Sequence, residues 1–202
     1  MKVTSIKSQV KRAGRYSIFV DGKYEFSLSD TALLDSKLAN GQELSQAQLR
    51  EFKQVSVDDK LYNNVLGYLA IRPRTDWEIT AYLQRKGASP ALSTTILNKL
   101  SNLNLLDDKK FAEAFVSDRR LLRAKSRRKL VQELRQKHVA DDIIQAAVGN
   151  EPEDEQSALR AIIERKRRQS KYRDNLKLMQ YLAGQGFNYG DIKAALGEDD
   201  SA

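Results

Sequence analysis

Apolar and polar side chains alternate through the first thirty residues of the chain. Two alternating runs flank the pair Asp21-Gly22, and a two-residue hairpin turn of this kind needs positive φ angles at both positions. The apolar positions of the two runs are Tyr16, Ile18 and Val20, then Tyr24, Phe26 and Leu28. With a further strand expected in residues 3–10, the pattern predicts a three-stranded antiparallel meander.

After these strands the spacing of apolar residues becomes helical. Helices tend to start at side chains that accept a hydrogen bond from first-turn N–H groups. Ser45-x-x-Gln48 and Thr75-x-x-Glu78 have the spacing of capping boxes. The other predicted caps are Ser29 or Asp30, Ser89, Asp107 or Asp108, Ser126, Asp141 or Asp142, Asp174 or Asn175, and Asn188. The rest of the chain is therefore predicted to contain only helices and turns.

Three segments of the helical part share one order of residues. They are WEITAYLQRKGASPALSTTIL, RKLVQELRQKHVADDIIQAAV and LKLMQYLAGQGFNYGDIKAAL. Leu83, Leu134 and Leu182 match at separations of 51 and 48 residues, and a further helix is expected before each segment, around 60–71, 108–122 and 155–169. The predicted fold class is mainly α: an elongated tandem array of three three-helix repeats, preceded by a small N-terminal β-hairpin or meander with short helices.

Domain boundaries follow from this repeat. Residues 1–58 are predicted to form the N-terminal β-hairpin and helical segment, 59–104 the first repeat, 105–150 the second, and 151–202 the third repeat with a short acidic tail. The acidic run EPEDE, residues 151–155, is expected to join the second and third repeats. The tail GEDDSA, residues 197–202, is expected to fray.

Basic residues are concentrated in two blocks, and this bears on function. The chain carries a net charge of +8, whereas residues 117–137 alone carry +7 and residues 160–177 carry +6. Such blocks favour an anionic partner, such as nucleic acid or an acidic protein surface. A solvated helix face is the alternative interpretation.

The candidate binding residues lie in these blocks. A helix over residues 126–138 would turn Leu130 and Leu134 inward and Arg128 and Arg135 outward, with Arg127 near the apolar edge. The candidates are Arg119, Arg120, Arg123, Lys125, Arg127, Arg128, Lys129, Arg135, Arg165, Lys166, Arg167, Arg168 and Lys171.

The residue inventory argues against catalysis and against a bound cofactor or metal. The chain has no Cys and one His, which excludes thiolate ligands and histidine clusters. The paired aspartates would need a further ligand to hold a metal ion, so a metal-dependent nuclease is only a minor alternative. Tyr172 and Trp77 could stack on bases, but core packing or helix ends are the expected places for both. No apolar run reaches about 18 residues, and we expect a cytoplasmic protein without membrane contact.

The segment LLDDKKFAEAFVSDRRLLRAKSRRKLVQELRQKHV, residues 105–139, resembles the RecX family of RecA regulators. The shared features are a leucine and two acidic residues before Phe111-Ala112, then a basic helix containing Gln132-Glu133-Leu134. The final run KLMQYLAGQGFNYGDIKAAL is similar to the C-terminal signature of the family. Two departures are Lys125-Ser126, where the family has Gly-Pro, and His138, where it has a Gly at a position that often needs positive φ.

The resemblance implies a regulator that lodges in the groove of the RecA–DNA filament and restrains its ATPase, strand-exchange and co-protease activities. The implied partners are the RecA filament, single-stranded DNA and, in addition, double-stranded DNA. The implied roles are regulation of DNA repair, homologous recombination and the SOS response, by a monomer with no cofactor and no enzymatic activity. The alternative left open by the residues is a free-standing basic helical-repeat protein that binds nucleic acid without a recombinase.

Overall fold

A computed structural model of the chain describes residues 1–123, 125–149 and 152–197, with the backbone alone for Arg123 and residues 152–154. The predicted frayed tail beyond Gly197 lies outside the described residues. The chain divides into two compact units. The first comprises Met1–Arg72 and Ile79–Asn102, and the second comprises Pro73–Glu78 and the chain from Leu103 onward.

Three antiparallel strands form the N-terminal sheet in the order β1-β2-β3. The strands are β1 (Val3–Ser8), β2 (Arg15–Val20) and β3 (Lys23–Ser29). Asp21 and Gly22 join β2 to β3 with φ angles of 49° and 78°, as the predicted turn requires. The core under the sheet includes Val3, Ile18, Val20, Phe26 and Leu28. The predicted meander is confirmed.

Two helices follow the sheet, α1 (Asp30–Ser36) and α2 (Gln46–Ile71). Ser29 caps α1, and Ser45 forms the predicted capping box of α2 with Gln48. Helix α2 passes without a break through residues 58 and 59, where the sequence analysis places a domain boundary.

A buried ion pair fastens the middle of α2 to the sheet. Arg15 Nη1 of β2 lies 3.2 Å from Asp59 Oδ2 of α2, and both side chains are less than a tenth exposed. Asp59 also accepts a hydrogen bond from the Ser29 N–H at 3.0 Å. Residue 59 therefore serves the N-terminal sheet as well as the helical array.

The predicted three-helix repeats are present. Repeat 1 combines α2 with α3 (Asp76–Arg85) and α4 (Pro90–Asn102), repeat 2 contains α5 (Asp108–Arg123), α6 (Arg127–Arg135) and α7 (Asp141–Val148), and repeat 3 contains α8 (Pro152–Arg167), a 3-10 turn (Ser170–Tyr172), α9 (Asn175–Gly184) and α10 (Tyr189–Leu196). The matched residues Leu83, Leu134 and Leu182 are all fully buried. The alignment of the repeats is thus confirmed.

Repeats 2 and 3 each enclose an apolar core of their own. The core of repeat 2 is formed by Phe111, Ala112, Val116, Leu130, Leu134, Val139, Ile144 and Val148. That of repeat 3 is formed by Leu159, Ile162, Leu178, Met179, Leu182, Phe187 and Ile192. Ile144 in the core of repeat 2 matches Ile192 in the core of repeat 3, and both are fully buried. The packing within each of these repeats therefore determines which way its polar side chains face.

Two sequence predictions near the starts of α7 and α8 need correction. Helix α7 has Ala140 at its N-cap, without a side-chain hydrogen bond, so Asp141 and Asp142 lie inside its first turn, where negative charge suits the positive end of the helix dipole. The acidic run predicted as a joint is mostly helical, because α8 begins at Pro152 and proline fits a first helical position. Residues 150 and 151 lie outside the described residues.

Candidate functional site

Helix α6 carries the centre of the first basic block. Ser126 is its N-cap, and the Ser126 side chain accepts a hydrogen bond from the Lys129 N–H. Leu130 and Leu134 are buried, whereas Arg128 is exposed. The predicted inward and outward faces of this helix are confirmed.

One carboxylate holds two of the predicted binding residues inside repeat 2. Glu133 of α6 pairs with Arg119 of α5 at 3.1 Å and with Lys125. Burial acts to raise the pKa of Glu133, but the hydrogen bonds from Lys125 and Arg119 outweigh it, so the pKa is lowered. The Arg119 guanidinium also lies 4.5 Å from the centre of the Phe115 ring. Arg119 therefore holds α5 against α6, and Lys125 holds the loop between the two helices against α6.

Two further candidates bind carbonyl groups at the end of α7. Arg120 Nη2 donates to the Val148 carbonyl at 2.7 Å, and Arg127 Nε donates to the Gly149 carbonyl at 2.8 Å. The last carbonyls of a helix have no partner within it and carry partial negative charge, which favours cations there. Arg127, expected near the apolar edge, is half-buried in this contact.

The outward row of α6 faces solvent. Within the part of the chain that the structure describes, the Arg128 side chain has no hydrogen-bond or ion-pair partner. Arg135 Nε lies 2.9 Å from Asp141 Oδ1, and its hydrogen bond lowers the pKa of Asp141. Both side chains of this pair are more than half exposed, so the pair adds little stability. Lys129 Nζ donates to the Gln132 side chain one turn later in the same helix, at 3.1 Å.

Arginines of the second basic block are divided between internal contacts and solvent. Arg165 Nη1 donates to the Leu122 carbonyl at 3.0 Å, and Arg167 Nη1 donates to the Arg173 carbonyl at 2.7 Å. Arg168 forms an exposed pair with Glu164 at 2.8 Å. Arg123 ends α5, and its side chain lies outside the described part.

Two lysines of the second basic block, Lys166 and Lys171, lie over aromatic rings. Lys166 Nζ lies 4.9 Å from the ring centre of Tyr172 and 4.4 Å from that of Tyr181. Lys171 Nζ lies 5.5 Å from the Tyr172 ring centre and is exposed. Tyr172 packs against the core of repeat 3, which agrees with core packing as the expected place for this ring. Arg168 and Lys171 are both exposed and lie shortly before Tyr172 in the sequence.

An open groove of about 1310 Å³ separates α6 from the start of α10. Arg128 and Arg135 line one side, and Tyr189 and Asp191 line the other. Tyr189 is 55% exposed. Tyr189 is not among the candidate residues predicted from the sequence, and its signal there is its place in the final run that resembles RecX. The groove brings Arg128 and Arg135 together with groups from repeat 3, whereas Arg119 and Lys125 do not line it.

A stacked pair lies at the start of α3. The imidazole of His138 lies on the Trp77 indole, with ring centres 4.0 Å apart. His138 has a φ of 56°, the left-handed conformation expected from the glycines at the matching positions. Trp77 is at a helix end, as expected, and one face of its ring is covered by the imidazole.

The paired aspartates before α5 accept backbone hydrogen bonds. Asp107 Oδ1 accepts from the Lys110 N–H at 3.0 Å, which lowers the pKa of Asp107. Asp108 Oδ1 accepts from the Asp76 N–H at 2.9 Å, and burial raises the pKa of Asp108. Among the described residues, no three His, Cys, Asp or Glu side chains are placed to share a metal ion. Within the same residues, no helix is long and apolar enough to cross a membrane.

Four family models match the chain, one after another. The regulatory protein RecX N-terminal domain matches residues 1–45. The first, second and third three-helix domains of RecX match residues 62–100, 107–148 and 153–196. The three repeats of the structure coincide with these three matches.

Curated relatives carry the same family name. Regulatory protein RecX of Listeria monocytogenes is 32% identical over 100% of this chain and 77% of the relative. Regulatory protein RecX of Lactobacillus johnsonii is 37% identical over 71% of this chain. That match spans 52% of the relative, so it covers about half of the longer protein.

Two solved structures are similar to the chain. A crystal structure of regulatory protein RecX superposes with a TM-score of 0.74 and 29% identity, covering 98% of this chain and 99% of the other. The crystal structure of RecX from Lactobacillus salivarius superposes with a TM-score of 0.59 and 25% identity, covering 72% and 98%.

Proposed function

Since this chain belongs to the RecX family of regulatory proteins, we propose that it binds the RecA recombinase–DNA filament and restrains the ATPase, strand-exchange and co-protease activities of the filament. The observation that carries the proposal is the series of four RecX domain matches that follow one another along the chain. The protein acts by binding, as a cytoplasmic monomer without a cofactor. Its roles are the regulation of DNA repair, homologous recombination and the SOS response.

The exposed cations are the proposed contact residues. Arg128 and Arg135 lie on the groove wall of α6, and Arg168 and Lys171 are exposed in repeat 3. They can reach DNA phosphates or acidic side chains of the filament without breaking a core contact. Arg119, Arg120, Lys125 and Arg127 serve instead to hold the helices that present this surface.

The first test is the DNA-dependent ATPase of the cognate recombinase, titrated with this protein while single-stranded DNA is in large excess. The excess removes mere competition for DNA. Inhibition at well below one molecule per recombinase supports action on the filament. Inhibition that disappears when DNA is abundant would indicate the alternative function, a free-standing nucleic-acid-binding protein, whose affinity would fall steeply with salt.

The contact surface is tested by charge reversal. The double variant Arg128→Glu and Arg135→Glu should weaken inhibition while the far-ultraviolet circular dichroism stays unchanged. A matched control is Lys11→Glu with Arg12→Glu, which reverses two exposed cations in the other compact unit. Equal inhibition by the two double variants would refute the assignment of the α6 face.

A further inference from the structure

The buried hydroxyl of Ser126 makes two hydrogen bonds of different kinds. It accepts from the Lys129 N–H at 3.2 Å and so caps α6. It also donates to the Gln185 carbonyl at 2.6 Å, just after α9 in repeat 3. Ser126 is fully buried, so water cannot replace either partner without an opening of the structure.

A second bond ties the same helix start to repeat 3. Arg127 is the first residue of α6, and the N–H at this position has no acceptor within its own helix. Glu155 Oε2 of α8 accepts it at 2.8 Å. The start of α6 is thus held at two points, by the end of α9 and by the first turns of α8. We refer to these two bonds as the Ser126 joint.

The backbone at Gly186 allows the joint to close. Gly186 has a φ of +91°, and a Cβ there would lie 2.6 Å from Ser126 Oγ. The left-handed conformation favours glycine, and the close approach leaves no room for a Cβ. A side chain at this position would push Ser126 away from the Gln185 carbonyl.

The same arrangement occurs again within the second compact unit, at the start of α3. Thr75 is fully buried, and its hydroxyl accepts from the Glu78 N–H at 3.3 Å and donates to the Lys137 carbonyl at 3.0 Å. The Asp76 N–H, at the first helical position, is accepted by Asp108 at 2.9 Å. A capping hydroxyl that also bonds a loop carbonyl, next to a first-position N–H held by a carboxylate, therefore occurs twice. Because the arrangement recurs, we infer that it is a regular feature of the way one repeat is joined to the next.

We propose that Ser126 is a positioning residue that holds repeats 2 and 3 as one rigid body. The cations of α6 and those that follow α8 are then presented to the filament at a fixed separation. Binding across two repeats loses less conformational freedom when their relative placement is already set. This inference rests on the proposed function, because the benefit arises only if one partner contacts both repeats.

Three variants separate capping from joining. Ser126→Asp keeps an oxygen that caps α6, but an ionised carboxylate cannot donate to the Gln185 carbonyl. Ser126→Thr keeps both bonds, as Thr75 does at the other joint. Gly186→Ala opens the joint from the opposite side and leaves the Ser126 side chain intact.

The joint itself is measured by hydrogen exchange of the Arg127 amide in the full chain. Its protection comes from Glu155 and not from an intrahelical bond, so it reports on the joint. Loss of one buried hydrogen bond predicts exchange that is roughly tenfold faster or more in Ser126→Asp and Gly186→Ala. Ser126→Thr should exchange like the natural chain. Unchanged protection in both opened variants would overturn the joint.

The consequence for regulation is measured in the recombinase ATPase assay. The concentration needed for half-inhibition should rise roughly tenfold in Ser126→Asp and Gly186→Ala, while Ser126→Thr retains the natural value. If the natural chain does not inhibit, the proposed function fails. If it inhibits and the opened variants, with fast Arg127 exchange, inhibit equally well, the positioning role of Ser126 is refuted and the proposed function stands.

Discussion

Replacing Glu133 by Gln should destabilise the protein, because it removes a carboxylate that two cations share. Glu133 lies between Arg119 and Lys125, which form charge-assisted hydrogen bonds with its two carboxylate oxygens. Glutamine can keep an acceptor oxygen for one of the cations but offers no negative charge to either. The substitution therefore leaves two cations side by side in a partly buried place.

The size of the effect follows from the exposure of the three side chains. The relative exposures are 18% for Glu133, 29% for Arg119 and 13% for Lys125. Fully exposed ion pairs contribute about 0–1 kcal/mol, and breaking a buried pair costs about 3–5 kcal/mol. For this intermediate burial we expect a loss of about 1–3 kcal/mol in the free energy of unfolding. In a chain of this size the melting temperature should fall by about 3–10 °C.

The effect should depend on pH in a defined direction. The folded-state pKa of Glu133 is lowered relative to its ordinary value. The stability that the ionised carboxylate contributes is therefore present above the unfolded-state pKa, about 4.3, and is lost as the pH falls through the lower folded-state pKa. The difference between the natural chain and Glu133→Gln should be full at pH 7 and should shrink in acid, as the pH falls through the lowered folded-state pKa of Glu133.

Urea unfolding followed by far-ultraviolet circular dichroism measures this difference at each pH. Arg128→Gln is the control, because it removes an exposed arginine of the same helix and should change the free energy of unfolding by less than about 0.5 kcal/mol. A loss for Glu133→Gln no larger than that of the control at pH 7 would refute the structural role of the Glu133 cluster. A loss of the same size at pH 7 and in acid would refute the electrostatic origin of the effect.

Three other substitutions test the packing of charged groups. Asp59→Ala leaves Arg15 buried without its counter-charge, so denaturant unfolding should show a loss of about 3 kcal/mol; a loss under 1 kcal/mol would contradict this. His138→Gly relieves a left-handed backbone but removes the ring that covers Trp77, so the free energy of unfolding should change by less than about 1 kcal/mol while the emission of the single tryptophan shifts to the red; an unshifted spectrum would exclude the stack. Burial raises the pKa of Glu155, so the ionisation of this carboxyl lowers the free energy of unfolding as the pH rises through that pKa. Glu155→Gln should therefore not lower stability at pH 7 in the same unfolding experiment. A clear loss would show that the ionised carboxylate stabilises the fold.

Local signals in the sequence predicted most of the fold. The hairpin at Asp21-Gly22 and the cap at Ser126 depend on a few neighbouring residues, and both are present in the structure. The repeats could be aligned because the packing of each three-helix unit requires a buried residue at Leu83, Leu134 and Leu182. The aspartate cap of α7 failed because Asp141 suits the first turn of a helix as well as the position before it.

The candidate site could be predicted only in part, because the partner of a charged side chain depends on the tertiary structure. Arg119 and Arg128 are both arginines of the first basic block. Yet Arg119 faces Glu133 from a neighbouring helix, 14 residues away in sequence, whereas Arg128 faces solvent. Helical periodicity predicted the outward direction of Arg128, but no periodicity within one helix could reveal the contact of Arg119. The Ser126 joint was missed for the same reason, since its acceptor lies 59 residues away.

The cap of α9 has a consequence for the length of the array. Asp174 accepts hydrogen bonds from the Leu176 and Lys177 N–H groups, but an ionised carboxylate has no hydrogen with which to hold a loop carbonyl. A fourth repeat copied onto the C-terminal end would therefore lack the bond that Thr75 and Ser126 make. Engineers who wish to lengthen this scaffold would begin with Asp174→Ser, so that the cap of α9 could also donate a hydrogen bond to a loop carbonyl.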